Sequence, residues 1–259
     1  MKLRVFNISS FISNKISFAV IIFLLFVFSG CKKEMNIANR YKSDFSNKEI
    51  SLLSESEYWK INSNDWQIEN NRIECLVSKE FRKIYLLTRQ FSTVDGNAEI
   101  KVRLGFFNDE ISNLSKNWAG VHIGSKTKLD DIENTRNQKG INIGVCTNGF
   151  LFIGSPSPNK KNRNIIDALK DGVDLKILIK KNTNTYTIDF SVLEIKTGKV
   201  LGRISKKNIA PEQVTGNFGL VSNFENSENK IINSTKSVWF QNWEIKGSKV
   251  EVLEKKSKN

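Results

Sequence analysis

Residues 185–195 read TYTIDFSVLEI, and their alternation decides the fold class. Tyr186, Ile188, Phe190 and Val192 fall on one face of an extended chain, and Thr187, Asp189, Ser191 and Leu193 on the other. Successive side chains of a strand point to opposite sides, so a period of two with one apolar face describes a half-buried strand of an antiparallel sheet. Similar short runs surround it: Trp66–Glu69, Arg72–Val77, Lys83–Phe91, Ala98–Phe107, Ala119–Ile123 and Gly140–Cys146, then Phe150–Ile153, Asp174–Lys180, Val200–Lys206, Phe218–Asn223 and Ser237–Ile245. The joints carry turn chemistry. Asn148-Gly149 is placed as the two-residue loop of a hairpin whose central positions both take positive φ. Asp95-Gly96, Thr197-Gly198 and Thr215-Gly216-Asn217 punctuate other joints. About a dozen turn-linked strands in one block predict an all-β fold, an antiparallel two-sheet β-sandwich. Two segments break the pattern. Ser125–Gln138 is a polar loop, and Pro156–Asp171 starts as a basic loop and holds one helical turn at Ile165–Lys170.

The N-terminus has a different character. Lys2, Arg4 and Lys15 precede an apolar run, ISFAVIIFLLFVF from Ile16 to Phe28, which ends in Ser29-Gly30-Cys31. Basic, apolar and small-residue regions in that order describe a secretory signal over residues 1–30, and the run falls short of the ~20 residues of a permanent span. Ser29-Gly30-Cys31 resembles the lipobox of bacterial lipoproteins, with Phe28 where that motif usually has Leu, Val or Ile. The resemblance implies cleavage before Cys31 and lipidation of its thiol, and acyl chains at about 0.8 kcal/mol per buried methylene hold a protein on a membrane. Lys32-Lys33-Glu34 lacks the Asp that marks inner-membrane retention in lipoproteins, so the resemblance implies the outer membrane, with the face it occupies left open. Residues 31–55 read as a lipidated Cys and polar tether, 56–250 as the sandwich and 251–259 as a charged tail.

The chain of 259 residues has 40 basic and 27 acidic side chains, a net charge of +13. Its lysines are scattered through loops and ends without a nucleic-acid-binding motif, so no nucleic-acid partner is expected, and the surplus suits anionic lipid or polysaccharide. Besides Cys31 there are Cys75 and Cys146, each within an apolar run. Two separately buried thiols are the better reading, although an oxidising compartment would permit one disulfide.

RIECLVSKEFRKIYLLTRQF, AEIKVRLG, NWAGVHIG, GINIGVCTNGFLFIG, GNFGLVSN and SVWFQNWEIKGSKV occur in that order between Arg72 and Val250. Together they resemble a concanavalin A-like (laminin-G-like) jelly-roll sandwich. More narrowly they resemble the N-terminal accessory domain of bacterial alkaline phosphatase D-type metallophosphatases. Such an enzyme would need a further domain rich in Asp, His and Asn metal ligands, whereas this chain has one His. Two-metal hydrolysis needs a dense ligand cluster, so the resemblance extends to the accessory part without the catalytic part.

Paired carboxylates two residues apart on a strand would mark a retaining glycosidase. Only Glu55/Glu57 and Asp131/Glu133 have that spacing, both in polar segments, so no catalytic residue is expected. The resemblance to laminin-G domains raises calcium as the one cofactor to consider, on Asp130 and Asp131. His122 lies in WAGVHIG with apolar neighbours and no evident nucleophile. Trp239, Trp243 and Ile245 have the spacing of one strand face and read as packing. Trp118, after the polar run SNLSKN, and Trp59, before the first strand, are the candidates for exposed aromatics that stack on a sugar, with Asn117 and His122 to bond hydroxyls. The expectation is a membrane-tethered, non-catalytic glycan-binding domain. The alternative is an accessory module, or a remnant, that partners a separate metallophosphatase chain.

Overall fold

The computed structural model describes residues 40–46, 58–60, 63–92, 96–107, 117–125, 140–157, 161–224, 236–248 and 250–252. Within them the strands, in chain order, are β1 (Arg40–Lys42), β2 (Tyr58–Lys60), β3 (Trp66–Glu69), β4 (Arg72–Cys75), β5 (Arg82–Phe91), β6 (Ala98–Phe106), β7 (Trp118–Ser125) and β8 (Ile141–Cys146). They continue with β9 (Leu151–Ile153), β10 (Val173–Lys181), β11 (Tyr186–Glu194), β12 (Val200–Ile209), β13 (Gly216–Asn223), β14 (Val238–Gly247) and β15 (Val250–Val252). An eight-stranded sheet runs β12-β11-β10-β6-β14-β4-β3, with β1 also on β14. A seven-stranded sheet runs β15-β5-β13-β7-β8-β9, with β2 also on β5. Each pairing is antiparallel, as alternation on one apolar face requires.

The core lies between the sheets. Tyr186, Ile188, Phe190 and Val192 of β11 are fully buried, so the alternation of residues 185–195 reads out correctly. They meet Ile100, Val102 and Leu104 of β6 and Leu175, Ile177 and Ile179 of β10, and the other sheet supplies Ile84, Leu86, Val121, Ile123, Ile143, Val145, Phe218 and Leu220. Burying each such side chain is worth about 1.5–3 kcal/mol, which makes this layer the dominant stabilising contribution. Cys75 on β4 and Cys146 on β8 are buried free thiols in different sheets. Burial pushes the Cys146 thiol up to about 12.

Five local expectations need correction. Trp239 does not share a face with Trp243. Gln241 pairs with Arg103 and Glu244 with Lys101, so two residues of β14 stand opposite Val102 alone. Asn242 takes φ +52 in this bulge and the parity of β14 flips there. Val238 and Phe240 point inward before the bulge and Trp243 and Ile245 after it, while Trp239 is half-buried on the outward side beneath the Arg72 guanidinium, 5.1 Å from its ring.

The folded body also reaches into the expected tether of residues 31–55. Tyr41 and Phe45 are buried, and Tyr41 meets Trp243 edge-on at 5.5 Å. Ser43 N–H donates to the Trp243 carbonyl at 2.8 Å, and Trp243 N–H donates to Ser43 Oγ at 2.9 Å. At the other end β15 pairs with β5 as far as Val252, past the expected boundary at residue 250.

The Asn148-Gly149 hairpin is a three-residue loop. Gly149 N–H donates to the Cys146 carbonyl and Cys146 N–H to the Phe150 carbonyl, and Gly149 alone takes positive φ, at +76. The helical turn extends to a helix, Arg163–Leu169, capped by Asn162, whose side chain accepts from Ile165 N–H.

Candidate functional site

The side of the seven-stranded sheet that faces away from the core carries an organised set of polar and aromatic groups. Register places them in three rows. Tyr85, Gly219, His122 and Asn142 are successive cross-strand neighbours on β5, β13, β7 and β8. One step along, Lys83, Val221, Gly120, Gly144 and Phe152 form the second row. Asn223, Trp118 and Cys146 form the third. These positions alternate with Ile84, Val121, Ile143 and Leu220, which face the core, so strand parity alone puts them on the opposite side.

Glycine gives the rows their relief. A Cβ on Gly120 would lie 2.1 Å from the Ile143 carbonyl oxygen, and one on Gly144 2.5 Å from the Ala119 carbonyl oxygen. Gly120 and Gly144 are therefore required by close strand approach, and they leave the middle of the face floored by backbone. A Cβ on Gly219 would sit 3.0 Å from the Tyr85 ring, and one on Gly140 2.7 Å from His122 Nε2, so both side chains lie flush against glycine backbone.

The walls are hydrogen-bonded. His122 Nδ1 lies 2.8 Å from Asn142 Oδ1, an amide oxygen that accepts from Nδ1–H and so sets the ring's orientation. Tyr85 meets His122 edge-on, with ring centroids 6.0 Å apart. Asn223 Oδ1 accepts from Phe81 N–H at 3.1 Å. His122 is 2% exposed and Lys83 8%, while Asn142 is half-buried and is the member of the first row that solvent reaches. Burial pulls the Lys83 ammonium down to about 8. The rows thus bring hydrogen-bonding side chains and aromatic edges together over a backbone floor, and within the first row Asn142 alone is more than marginally exposed.

Of the expected site residues, Asn117, Trp118 and His122 come together at β7. Trp118 is not an exposed platform. It is 3% exposed and packs edge-on against Phe152 at 5.0 Å, in a cluster with Cys146 and Val221. The polar run before it ends where β7 begins, and pairing with both β13 and β8 draws the indole into the sheet's outward layer. The Asn117 side chain is buried, and its carbonyl accepts from Thr147 N–H. Trp59 lies in β2, in register with Tyr85. Cys31, Asp130 and Asp131 lie outside the described residues, so calcium on the two aspartates has no geometry here. Among the described residues no group of three or more His, Cys, Asp or Glu could hold a metal ion.

Sequence reasoning missed Lys83, Tyr85 and Asn142. The signal was present in the parity of KIYLL and INIGV, where a polar or amphipathic residue interrupts apolar neighbours at every second position.

No protein-family model matches the chain, and no curated protein matches it. Solved structures do match. Arcelin-5, a lectin-like defense protein from Phaseolus vulgaris, aligns over 81% of this chain and 99% of its own with a TM-score of 0.50 at 8% identity. Lectin II from Ulex europaeus aligns over 80% of this chain and 97% of its own with a TM-score of 0.51 at 7% identity. With two antiparallel sheets packed on one core and these two likenesses, the chain has the concanavalin A-like sandwich fold.

Proposed function

We propose that the chain is a lipid-anchored, non-catalytic recognition domain of the bacterial envelope that binds a polysaccharide or glycan. The observation that carries the reading is the row Tyr85–Gly219–His122–Asn142, an ordered set of hydrogen-bonding and aromatic groups on a glycine-floored sheet face. Sugars present hydroxyls around their rim and apolar C–H groups on their faces, and pairing such surfaces takes fixed donors and acceptors beside aromatic carbon. Asn142 is the point of entry, because it is the accessible member and its amide retains a free N–H2 while its oxygen holds His122. The lectin and lectin-like structures that share the fold support the reading at the level of fold. The anchor part rests on Ser29-Gly30-Cys31 and the preceding apolar run.

The test is a glycan array probed with the detergent-solubilised full chain. Saturable binding to at least one polysaccharide is expected. An array with no signal would overturn the reading, and co-purification with a separate metallophosphatase chain would then favour the accessory-module alternative.

A further inference from the structure

The outward face of the eight-stranded sheet is charged, and nearly every charge has a partner. Lys180 bonds Asp189 at 2.7 Å, and Arg103 grips Asp174 through two bonds of 2.8 and 3.1 Å. Glu99 lies 3.2 Å from Lys101 and 3.4 Å from Lys246, and Glu244 lies 3.7 Å from both Arg40 and Lys42. Lys176 is half-buried and makes no close ion pair among the described residues; the Glu99 carboxylate attracts it at longer range, and Lys101 and Lys246 share that carboxylate. Its direct cross-strand partner on β6 is another lysine, Lys101, and its partner on β11 is Ser191. Like charges set directly opposite destabilise a sheet, and Glu99, one carboxylate shared among Lys101, Lys176 and Lys246, offsets only part of that repulsion.

The two lysines line an open depression of about 360 Å³, together with Arg103, Asp174, Asn242 and Glu244. Leu193 supplies an apolar wall. The β14 bulge accounts for the hollow. With Trp243 turned into the core and Asn242 held at φ +52 at the rim, the outward position beside Arg103 and Lys101 is left without a bulky side chain. Bulges recur beside sites because they re-aim side chains in this way.

We propose that this depression binds a sugar ring that carries one carboxylate, a uronic-acid unit. The carboxylate would lie between Lys176 and Lys101 and relieve their repulsion. The ring hydroxyls would donate to Asp174, already oriented by Arg103, and to Glu244, already held by Arg40 and Lys42. Asn242 bonds at the mouth, and Leu193 meets the apolar C–H face of the ring. A phosphate dianion carries more negative charge against Asp174 and Glu244 and brings no row of hydroxyl donors to them, and a neutral sugar would leave the lysine repulsion in place. The volume suits one ring, at the small end of the ~300–1,000 Å³ of ligand pockets. The site is on the opposite side of the sandwich from the His122 row and stands or falls separately from it.

The experiment titrates D-glucuronate into the full chain in detergent by calorimetry, with D-glucose and acetate as controls. Saturable glucuronate binding is expected, with both controls weaker. Lys176→Gln should weaken it about tenfold or more, the loss of one charge-assisted contact, while Lys176→Arg retains it. Lys176→Gln should melt no lower than wild type, since it removes a like-charge contact at a half-buried position, so its effect on binding cannot be ascribed to unfolding. Lys176→Gln should leave the binding of an uncharged array glycan unchanged, which separates failure here from failure of the other face. Absence of saturable binding, equal affinity for acetate, or an affinity indifferent to Lys176→Gln would each overturn the proposal.

Discussion

Replacing Trp118 by alanine tests the assignment of the indole to the sheet's packing. Its exposure is 3%, and the neighbours that close over it, Phe152, Cys146 and Val221, are themselves 3% exposed or less. Truncation would therefore leave a cavity rather than a surface dent, and large-to-small changes of this type cost about 3–5 kcal/mol. Part of that is the edge-on contact with Phe152 at 5.0 Å and 81°, since such ring pairs contribute about 0.5–1.5 kcal/mol beyond area. At roughly 2–4 °C per kcal/mol for a domain of this size, the melting temperature should fall by about 6–20 °C. Thermal and urea melts followed by far-ultraviolet circular dichroism measure the drop. Trp118→Phe, which keeps a ring against Phe152, should recover most of it. A Trp118→Ala protein that melts within about 2 °C of wild type would show that the indole is not packed, and would return it to the role of exposed stacking platform.

Two further outcomes rest on the geometry and one on the sequence. Lys83 titrates at about 8 in the fold against an ordinary 10.5, so between those values the unfolded chain binds more protons and stability must rise with pH; denaturant melts of wild type against Lys83→Met should show a relative gain approaching about 3 kcal/mol from pH 8 to 10.5, and a flat difference would refute the burial of the ammonium. Gly120→Ala forces a Cβ to within 2.1 Å of the Ile143 carbonyl and should cost about 1–3 kcal/mol or more in a urea melt, whereas an unchanged midpoint would deny the close approach of β7 and β8. For the proposed anchor, labelling with an alkyne fatty acid should tag wild type and not Cys31→Ser, which should move to the soluble envelope fraction; membrane retention of the serine variant would sink the lipoprotein reading.

The fold was legible because burial on one face writes a period of two into β6, β10 and β11, and all twelve expected strands exist. What escaped was determined by pairing. β1, β2 and β15 are three residues long, too short to show a period, although Tyr41 and Phe45 amid polar residues were a hint of burial. The bulge at Asn242 hid the true facing of Trp239, because parity read across β14 assumes an unbroken ladder. The site was half legible. WAGVHIG singled out His122, but its partner Asn142 and neighbour Tyr85 lie 20 and 37 positions away, brought beside it by a strand order that no local pattern encodes.

Glycan recognition on the His122 face is tested most directly by calorimetric titration of the strongest array glycan into wild type and Asn142→Ala, with a thermal melt of each. Loss of one hydrogen-bonding partner should weaken binding about 5- to 150-fold while the variant stays folded, because Asn142 is only half-buried. Equal affinity in the two folded proteins would contradict the placement of the glycan on this face.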